Sequence, residues 1–412
     1  MANVIIKPNI TALDKIRQMQ RDAAFDVADG NGDEDYGPDL LAIRDDVRSK
    51  GTLPALPKIM ASNDCVFNCA YCGLRISEDN HDRYTHTPKD LADISVKVAR
   101  ESRQGIFISS AVCKNADNTG ELILETVKII RNIHHYTGFI HAKVMPGTDY
   151  ELIRQTSLYA NRMSINIEVA KSEGYSQIAR NKSKDKILSP MGHIHSLVKA
   201  NKERKSAAAK NRYSYGAFGM FNAATSQATQ IMAGSTGESD FEILRLSNAL
   251  YKKYDLKRVY YTPFHYTWSA KGYSELPRTA TPVWRMKRLY QADRLMQLYG
   301  FTPEEIAPDA EPDLVQDLDP KAAWVLRNIH MFPIEVNTAD YEMLLRTPGI
   351  GTTYAERIVR ARRQCRLTHD ALRKLGVSLK RSQHFITCGG VFKGIRGDNV
   401  DTYKNLLVSP LS

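Results

Sequence analysis

From about residue 55 to 300 the sequence alternates between short apolar or β-branched runs and longer amphipathic stretches, and this alternation limits the possible folds more than any other feature. The strand candidates are "ALPKIMAS", "GIFISSAV", "GFIHAKVMP", "RMSINIEVA", "TQIMAGS" and "RVYYTPF". Most are separated by helical segments such as "PKDLADISVKVARES", "GELILETVKIIRNIHHY", "DYELIRQTSLYA" and "SDFEILRLSNALYKKY". Parallel neighbours need a crossover, and an amphipathic helix is the usual one. Six such units predict an α/β domain shaped as a partial barrel. A long basic insertion between the fourth and fifth strands, ending in "AAAKNRYSYGAFGMFNAATS", is expected over one mouth of it.

At 412 residues the chain exceeds what one core usually organises, so a smaller appended domain is expected. The sequence divides into a helical segment (1–50), the partial barrel (51–300), a Pro- and Asp-rich linker leading into a short helix (301–335), a small all-α domain (336–392) and a tail (393–412). In the first segment Asp29, Asn31 and Asp33 imitate the start of a calcium loop, but Glu34 and Leu40 stand where Gly and a bidentate Glu belong, which excludes it. With 42% hydrophobic and 25% charged residues, no long apolar run and no secretion signal, a cytoplasmic protein is expected, in the host cytoplasm if it is viral, without membrane partners. Two segments carry the net charge of +11: residues 171–212 hold eleven Lys/Arg against three Asp/Glu, and residues 341–383 hold ten against three. Such focused charge suits a polyphosphate partner, and a solvated basic face is the plainer alternative.

Three of the six cysteines fall within eight positions, in "SNDCVFNCAYCGLR", directly after the first strand candidate. In a chain without an export signal these are not a disulfide framework. Cys65, Cys69 and Cys72 cannot complete a tetrahedral zinc site unless a remote Cys or His joins them. They can hold three irons of a four-iron four-sulfur cube, leaving the fourth iron with an open coordination position. In barrel-like sheets ligands bind at the carboxyl ends of strands, where this trio lies.

The trio has the form CxxxCxΦC, with Tyr71 as the aromatic Φ, and so resembles the signature of the radical S-adenosylmethionine superfamily. The resemblance implies that S-adenosylmethionine chelates the open iron, is cleaved reductively with an electron from an external flavodoxin- or ferredoxin-like donor, and yields a 5′-deoxyadenosyl radical that removes a hydrogen from substrate. It also suggests cofactor contacts. Ser109 and Ser110 of "SSA" replace a Gly-Gly-Glu-like stretch that binds the methionine amino group; Asn166 and Glu168 of "SINIEVA" stand where polar side chains meet the ribose or amino group; Gly234 of "QIMAGSTGE", similar to GxIxGxxE, would let backbone approach adenine.

In "LLRTPGIGTTYAERIVRARR", Gly349, Ile350 and Gly351 form a tight turn opening onto a helix whose amides can face a phosphate, with Arg346, Thr352, Arg357 and Arg360 nearby. This resembles the helix-hairpin-helix that grips DNA backbone without reading sequence. A looser copy surrounds Leu375, Gly376, Val377 and Ser378. A duplex base would have to be extruded to reach a buried radical, and the aromatics of "VYYTPFHYTW" and "KGYSELP" are candidates to stack it.

Phrases such as "ILSPMGHI", "SQATQIMAG", "DLDPKAAWVLRN", "FPIEVNTADYEMLLRTPGIG" and "LRKLGVSLKRSQHFITCGG" are similar to radical S-adenosylmethionine proteins of DNA modification or repair, whose bacterial members are associated with a glycosylase-like partner. Departures lie in "CGLRISEDNH", "SSAVCKN" and residues 205–225. Phage relatives isomerise N-linked glycinyl-thymidine to its C-linked form in thymidine hypermodification, which the resemblance makes the leading expectation, with other DNA-modification enzymes as possible partners. Lys143, Arg162 and His265 are candidates for the glycyl carboxylate. A repair lyase on damaged pyrimidines, with Cys113 returning a hydrogen, is the second reading, and a noncatalytic iron-sulfur DNA-binding protein the third.

Overall fold

The computed structural model describes residues 56–77, 82–210, 222–265, 276–395 and 400–408. The expected helix and excluded calcium loop of residues 1–50, the end of the basic insertion (211–221) and most of the aromatic stretch after the sixth strand (266–275) lie outside the described residues. Contacts divide the chain into two units, one running to Glu238 and including Ala249–Thr281, the other comprising Ser239–Asn248 and Pro282 onward.

The first unit contains six strands: β1 (Lys58–Met60), β2 (Ile106–Ser109), β3 (Ile140–Lys143), β4 (Arg162–Ser164), β5 (Ser226–Ala233) and β6 (Arg258–Pro263). They form one sheet in sequential order, every pair parallel. Helices fill the crossovers, so the sheet is the open α/β half-barrel expected from the alternation. Each strand buries both faces, β2 along its whole length, which is why the strands read as apolar runs and not as alternating ones.

Local chemistry sets the crossovers. The helix Pro88–Ser102 starts where Thr87 accepts the Asp90 amide and Pro88 takes the first position, and it ends at Arg103 with φ 55°. The helix Ala116–Asn132 begins four residues before the predicted "GELIL" start, because Asn115 caps it through the Asn118 amide. The helix Lys184–Lys210 takes up most of the basic insertion. β4 pairs for only three residues of "RMSINIEVA". Beyond Ser164 the chain bends so that the amides of Ile167 and Glu168 both donate to the Gln230 carbonyl, at 3.1 and 2.9 Å.

The second unit revises two expectations. Residues 301–335 carry the expected short helix, Pro320–Arg327, but the stretch before it is more than a linker: the segment buries Phe301, Ile306, Leu314, Leu318, Trp324 and Val325 and adds the helix Pro303–Ile306. The prolines and acids that suggest a linker are helix-start residues, with Thr302 and Asp319 as caps and Pro303 and Pro320 at the first turn. The all-α region expected after residue 335 also contains a three-stranded sheet of β7 (Ile334–Glu335), β8 (Ile386–Cys388) and β9 (Val391–Phe392). Glu335 anchors it, accepting the amides of Gly389 and Gly390 at 2.9 and 2.8 Å and the Thr387 hydroxyl at 3.1 Å.

Two helical hairpins stand in this unit, Tyr341–Arg346 with Thr352–Ala361, and His369–Lys374 with Leu379–Ser382. Gly349 (φ +80°) and Gly376 (φ +88°) make the two turns in the left-handed region. Ile350 and Val377 follow them into one core with Leu344, Leu345, Ile358 and Leu372. The looser sequence copy is therefore the same device in space. No described helix is long and apolar enough to cross a membrane.

Candidate active site

The cysteine loop is held from both sides. The Ala70 amide donates to the Ile178 carbonyl and the Asn68 amide to Asn181 Oδ1, each at 2.8 Å, fastening the loop to the segment after β4. On the other side the Arg83 guanidinium donates to the carbonyls of Asn63, Leu74 and Arg75 at 2.7–2.8 Å, joining the residues before Cys65 to those after Cys72.

All three thiols line a cleft formed within the first unit. The backbone N–H groups of Phe67 and Leu74 donate to the sulfurs of Cys65 and Cys72 at 3.4 Å. Burial pushes the Cys69 thiol up, opposed by Lys182, and pushes Cys72 up to about 12. Thiols so placed keep their protons until a cation replaces them. Among the described residues no group of three or more His, Cys, Asp or Glu side chains converges on a single ion. Thiolates that each bind a different iron need no such convergence, and this trio fits a multi-iron cluster.

Behind the cysteines lies a buried polar chain. Lys182 Nζ donates to Glu168 Oε1 at 2.8 Å and to the Tyr71 hydroxyl at 2.9 Å. Burial alone draws the ammonium down, but the Glu168 carboxylate, with Cys69 behind it, outweighs this and the net shift is upward. Burial, followed by Glu168, holds the Tyr71 hydroxyl well above its ordinary value. Glu168 has φ +65°, a backbone that costs an ordinary residue about 1–2 kcal/mol. The bend that imposes this conformation also turns the carboxylate into the cleft. Glu168 Oε2 and Ser110 Oγ are buried without a partner among the described residues.

The structure therefore brings Cys65, Cys69, Cys72, Tyr71, Ser110, Asn166 and Glu168 to one cleft, together with Lys143 and His265. Four expected residues lie elsewhere. Ser109 is fully buried within β2. The close approach Gly234 allows is to Thr281, whose Oγ1 would lie 2.1 Å from an added Cβ, and its amide is held by Glu238. Arg162 opens β4, at the amino end of the strand, bonds the Ser226 and Tyr260 hydroxyls at 3.2 Å and lies over Phe139. Cys113 is buried with its sulfur 3.4 Å from Thr85 Oγ1 and does not line the cleft. Lys182 and Gln230 do line it and were missed, since Lys182 is one of eleven basic residues in its segment and a strand glutamine carries no signal of its own.

In the second unit the hairpin residues divide similarly. Ile350 is buried, so only its backbone can face a ligand. Arg346 is bound to Glu305 at 2.7 Å and lies over Phe301 and Trp324. Arg357 bridges the hairpins by donating to the Leu375 carbonyl at 3.0 Å. Gly351 has an ordinary backbone (φ −106°) and caps the helix begun by Thr352, while Arg360 is exposed.

No protein-family profile and no curated protein matches the chain. Among solved structures it is similar to the FeFe-hydrogenase maturase HydG from Carboxydothermus hydrogenoformans (13% identity, TM-score 0.42, over 58% of this chain and 51% of that one). It is also similar to methylornithine synthase PylB (14%, TM-score 0.39, 70% and 73%) and to the radical S-adenosylmethionine methyltransferase TsrM from Kitasatospora setae (12%, TM-score 0.34, 50% and 35%). The chain thus spans about half the length of HydG.

Proposed function

We propose that the chain is a radical S-adenosylmethionine enzyme acting on a base in DNA, and specifically that it isomerises N-linked glycinyl-thymidine to the C-linked form. The observation that carries the enzymatic part is a single cleft, at the carboxyl ends of a half-barrel, into which three cysteine thiols and an unpartnered buried carboxylate oxygen both open. When bound, a four-iron cluster with S-adenosylmethionine supplies an open iron position and a one-electron route to hydrogen abstraction. Cys65, Cys69 and Cys72 would hold three irons. Glu168 and Ser110 supply the acceptors an ammonium or ribose needs, while Met60, Leu74, Val144 and Met232 give the cleft apolar surface.

The DNA part rests on the second unit, where two left-handed glycine turns stand in a strongly basic segment with Arg360 exposed. An external flavodoxin- or ferredoxin-like donor would supply the electron. The repair reading gains no support from Cys113, which does not line the cleft.

The test is anaerobic reconstitution, then incubation with reductant, S-adenosylmethionine and DNA carrying glycinyl-thymine, read by nucleoside mass spectrometry. A product of unchanged mass and altered retention supports the proposal. No change in any DNA tested, or activity surviving Cys69→Ala, overturns the enzymatic assignment; turnover only on ultraviolet-damaged DNA overturns the isomerisation.

A further inference from the structure

We infer that Gln230, seated by Thr262, recognises the hydrogen-bonding edge of a nucleobase in this cleft; the inference rests on the function proposed above. β5 and β6 pair Met232 with Thr262, and strand alternation puts Gln230 on the same face two residues earlier, so all three side chains line the cleft. Gln230 is 5% exposed and its Nε2 donates to Thr262 Oγ1 at 3.3 Å. This bond orients the amide. It leaves Oε1 without a partner among the described residues and one N–H of Nε2 uncommitted.

A buried carboxamide left half-satisfied is unfavourable, so the atoms it offers indicate what the cleft is built to take. Oε1 accepts and the second Nε2–H donates, side by side in one plane. The complement is a neutral edge with an N–H beside an acceptor. Carboxylates and phosphates lack the N–H and would leave Oε1 unmatched. A nucleobase has such an edge, and Met232 and Pro263 beside it supply apolar surface for a flat ring. Two bases fit this chemistry, a substrate pyrimidine with its ring N–H beside a carbonyl, and the cofactor's adenine with its amino group beside a ring nitrogen.

The test uses anaerobically reconstituted full-length chain as wild type, Gln230→Met (similar length, no hydrogen bonds) and Gln230→Glu (acceptor kept, donor lost). Binding, not turnover, is measured for S-adenosylhomocysteine and for a single-stranded oligonucleotide with one central thymine beside its abasic counterpart. The expected result is roughly 10- to 100-fold weaker binding of one probe in Gln230→Met, with a smaller loss in Gln230→Glu. Loss confined to the thymine oligonucleotide assigns the substrate base, and loss confined to S-adenosylhomocysteine assigns adenine; either supports the inference. Iron content and thermal midpoint equal to wild type show that folding is not the cause, and Gln230→Glu is decisive where Gln230→Met fails this check. Variants that bind both probes as wild type does overturn the inference while leaving the proposed function standing. Wild type that loads iron yet binds neither probe overturns both.

Discussion

Replacing Arg83 with Met should loosen the cysteine loop without unfolding the sheet behind it. The guanidinium makes three bonds of 2.7–2.8 Å to the carbonyls of Asn63, Leu74 and Arg75, residues 0%, 2% and 6% exposed. Met fills part of the volume but donates nothing, so three carbonyls lose a charged donor. At about 1–3 kcal/mol for each buried group left unmatched, and with water reaching some of them, the local cost is about 3–6 kcal/mol. Domains have about 5–15 kcal/mol of global stability, so the loss is enough to open a loop fixed at both ends by one side chain. Hydrogen exchange on the metal-free chain reads this directly. Protection of the Val66 and Cys72 amides, bonded to Val112 and Cys69 carbonyls, should fall, while Ile108 and Ile231 in the sheet keep theirs. Iron incorporation on reconstitution should fall with it, and Arg83→Lys should not restore it, since the three carbonyls are spanned by two guanidinium nitrogens and an ammonium offers its three donors from one. Unchanged protection at Val66 and Cys72 together with full iron loading would refute the idea that Arg83 organises the loop.

Glu335 should make the second unit acid-sensitive. Burial alone would raise its carboxyl, but the Gly390, Gly389 and Asn337 amides outweigh that and hold it at about 2, below its ordinary 4.5. The stabilisation is therefore complete above pH ~4.5 and is lost as pH falls toward 2, a ceiling of about 3 kcal/mol that solvent screening reduces to about 1–2. Urea titrations from pH 6 to 2.5 should show a fall in stability that Glu335→Gln lacks. Gly349→Ala places a Cβ at φ +80°, 3.2 Å from the Ser382 amide nitrogen, and should cost about 1–2 kcal/mol and weaken DNA binding, both visible in melting and gel-shift measurements. Arg360→Ala should reduce the salt slope of DNA binding by about 1 with little change in melting, whereas Arg346→Ala should lower melting through its lost Glu305 and Phe301 contacts. Glu168→Ala and Glu168→Gly both strand Lys182, but glycine relieves the φ +65° backbone, so its melting midpoint should lie above that of alanine by the equivalent of about 1 kcal/mol; equal midpoints would show the bend to be unstrained.

What the sequence disclosed depends on how local the signal is. Hydrophobic runs separated by amphipathic helices report strand order, because each crossover is contiguous in sequence, and Pro88–Ser102 appears with the predicted ends because Thr87 and Pro88 mark its start. The cysteine spacing discloses the site for the same reason. Where partners are distant, the residue alphabet is silent. Lys182 and Tyr71 are 111 positions apart, and nothing in a basic run distinguishes the lysine that is buried against Glu168. The linker expectation failed because Pro and Asp have two uses. "TPEEIAPDAEPDLVQDLDP" reads as a spacer by composition, yet its Thr302, Asp319 and prolines start helices whose buried faces carry Ile306, Ala322 and Val325.

The same distinction separates the residues of the two turn motifs. A glycine motif predicts close approach, but not of what. At Gly234 the approaching group is Thr281 of the same unit, so the resemblance to an adenine-binding element is carried by a residue whose position is already explained by packing. At Gly349 the turn directs Ile350 inward, as Gly376 directs Val377, and this repetition is stronger evidence of a paired device than either sequence alone, since "LGVS" shares only one glycine with "PGIG". A motif thus gains weight when the structure leaves its polar atoms unexplained by protein. By that measure Glu168, Ser110 and Gln230, each with a buried atom unmatched among the described residues, are better guides to what the cleft binds than the glycines that first suggested it.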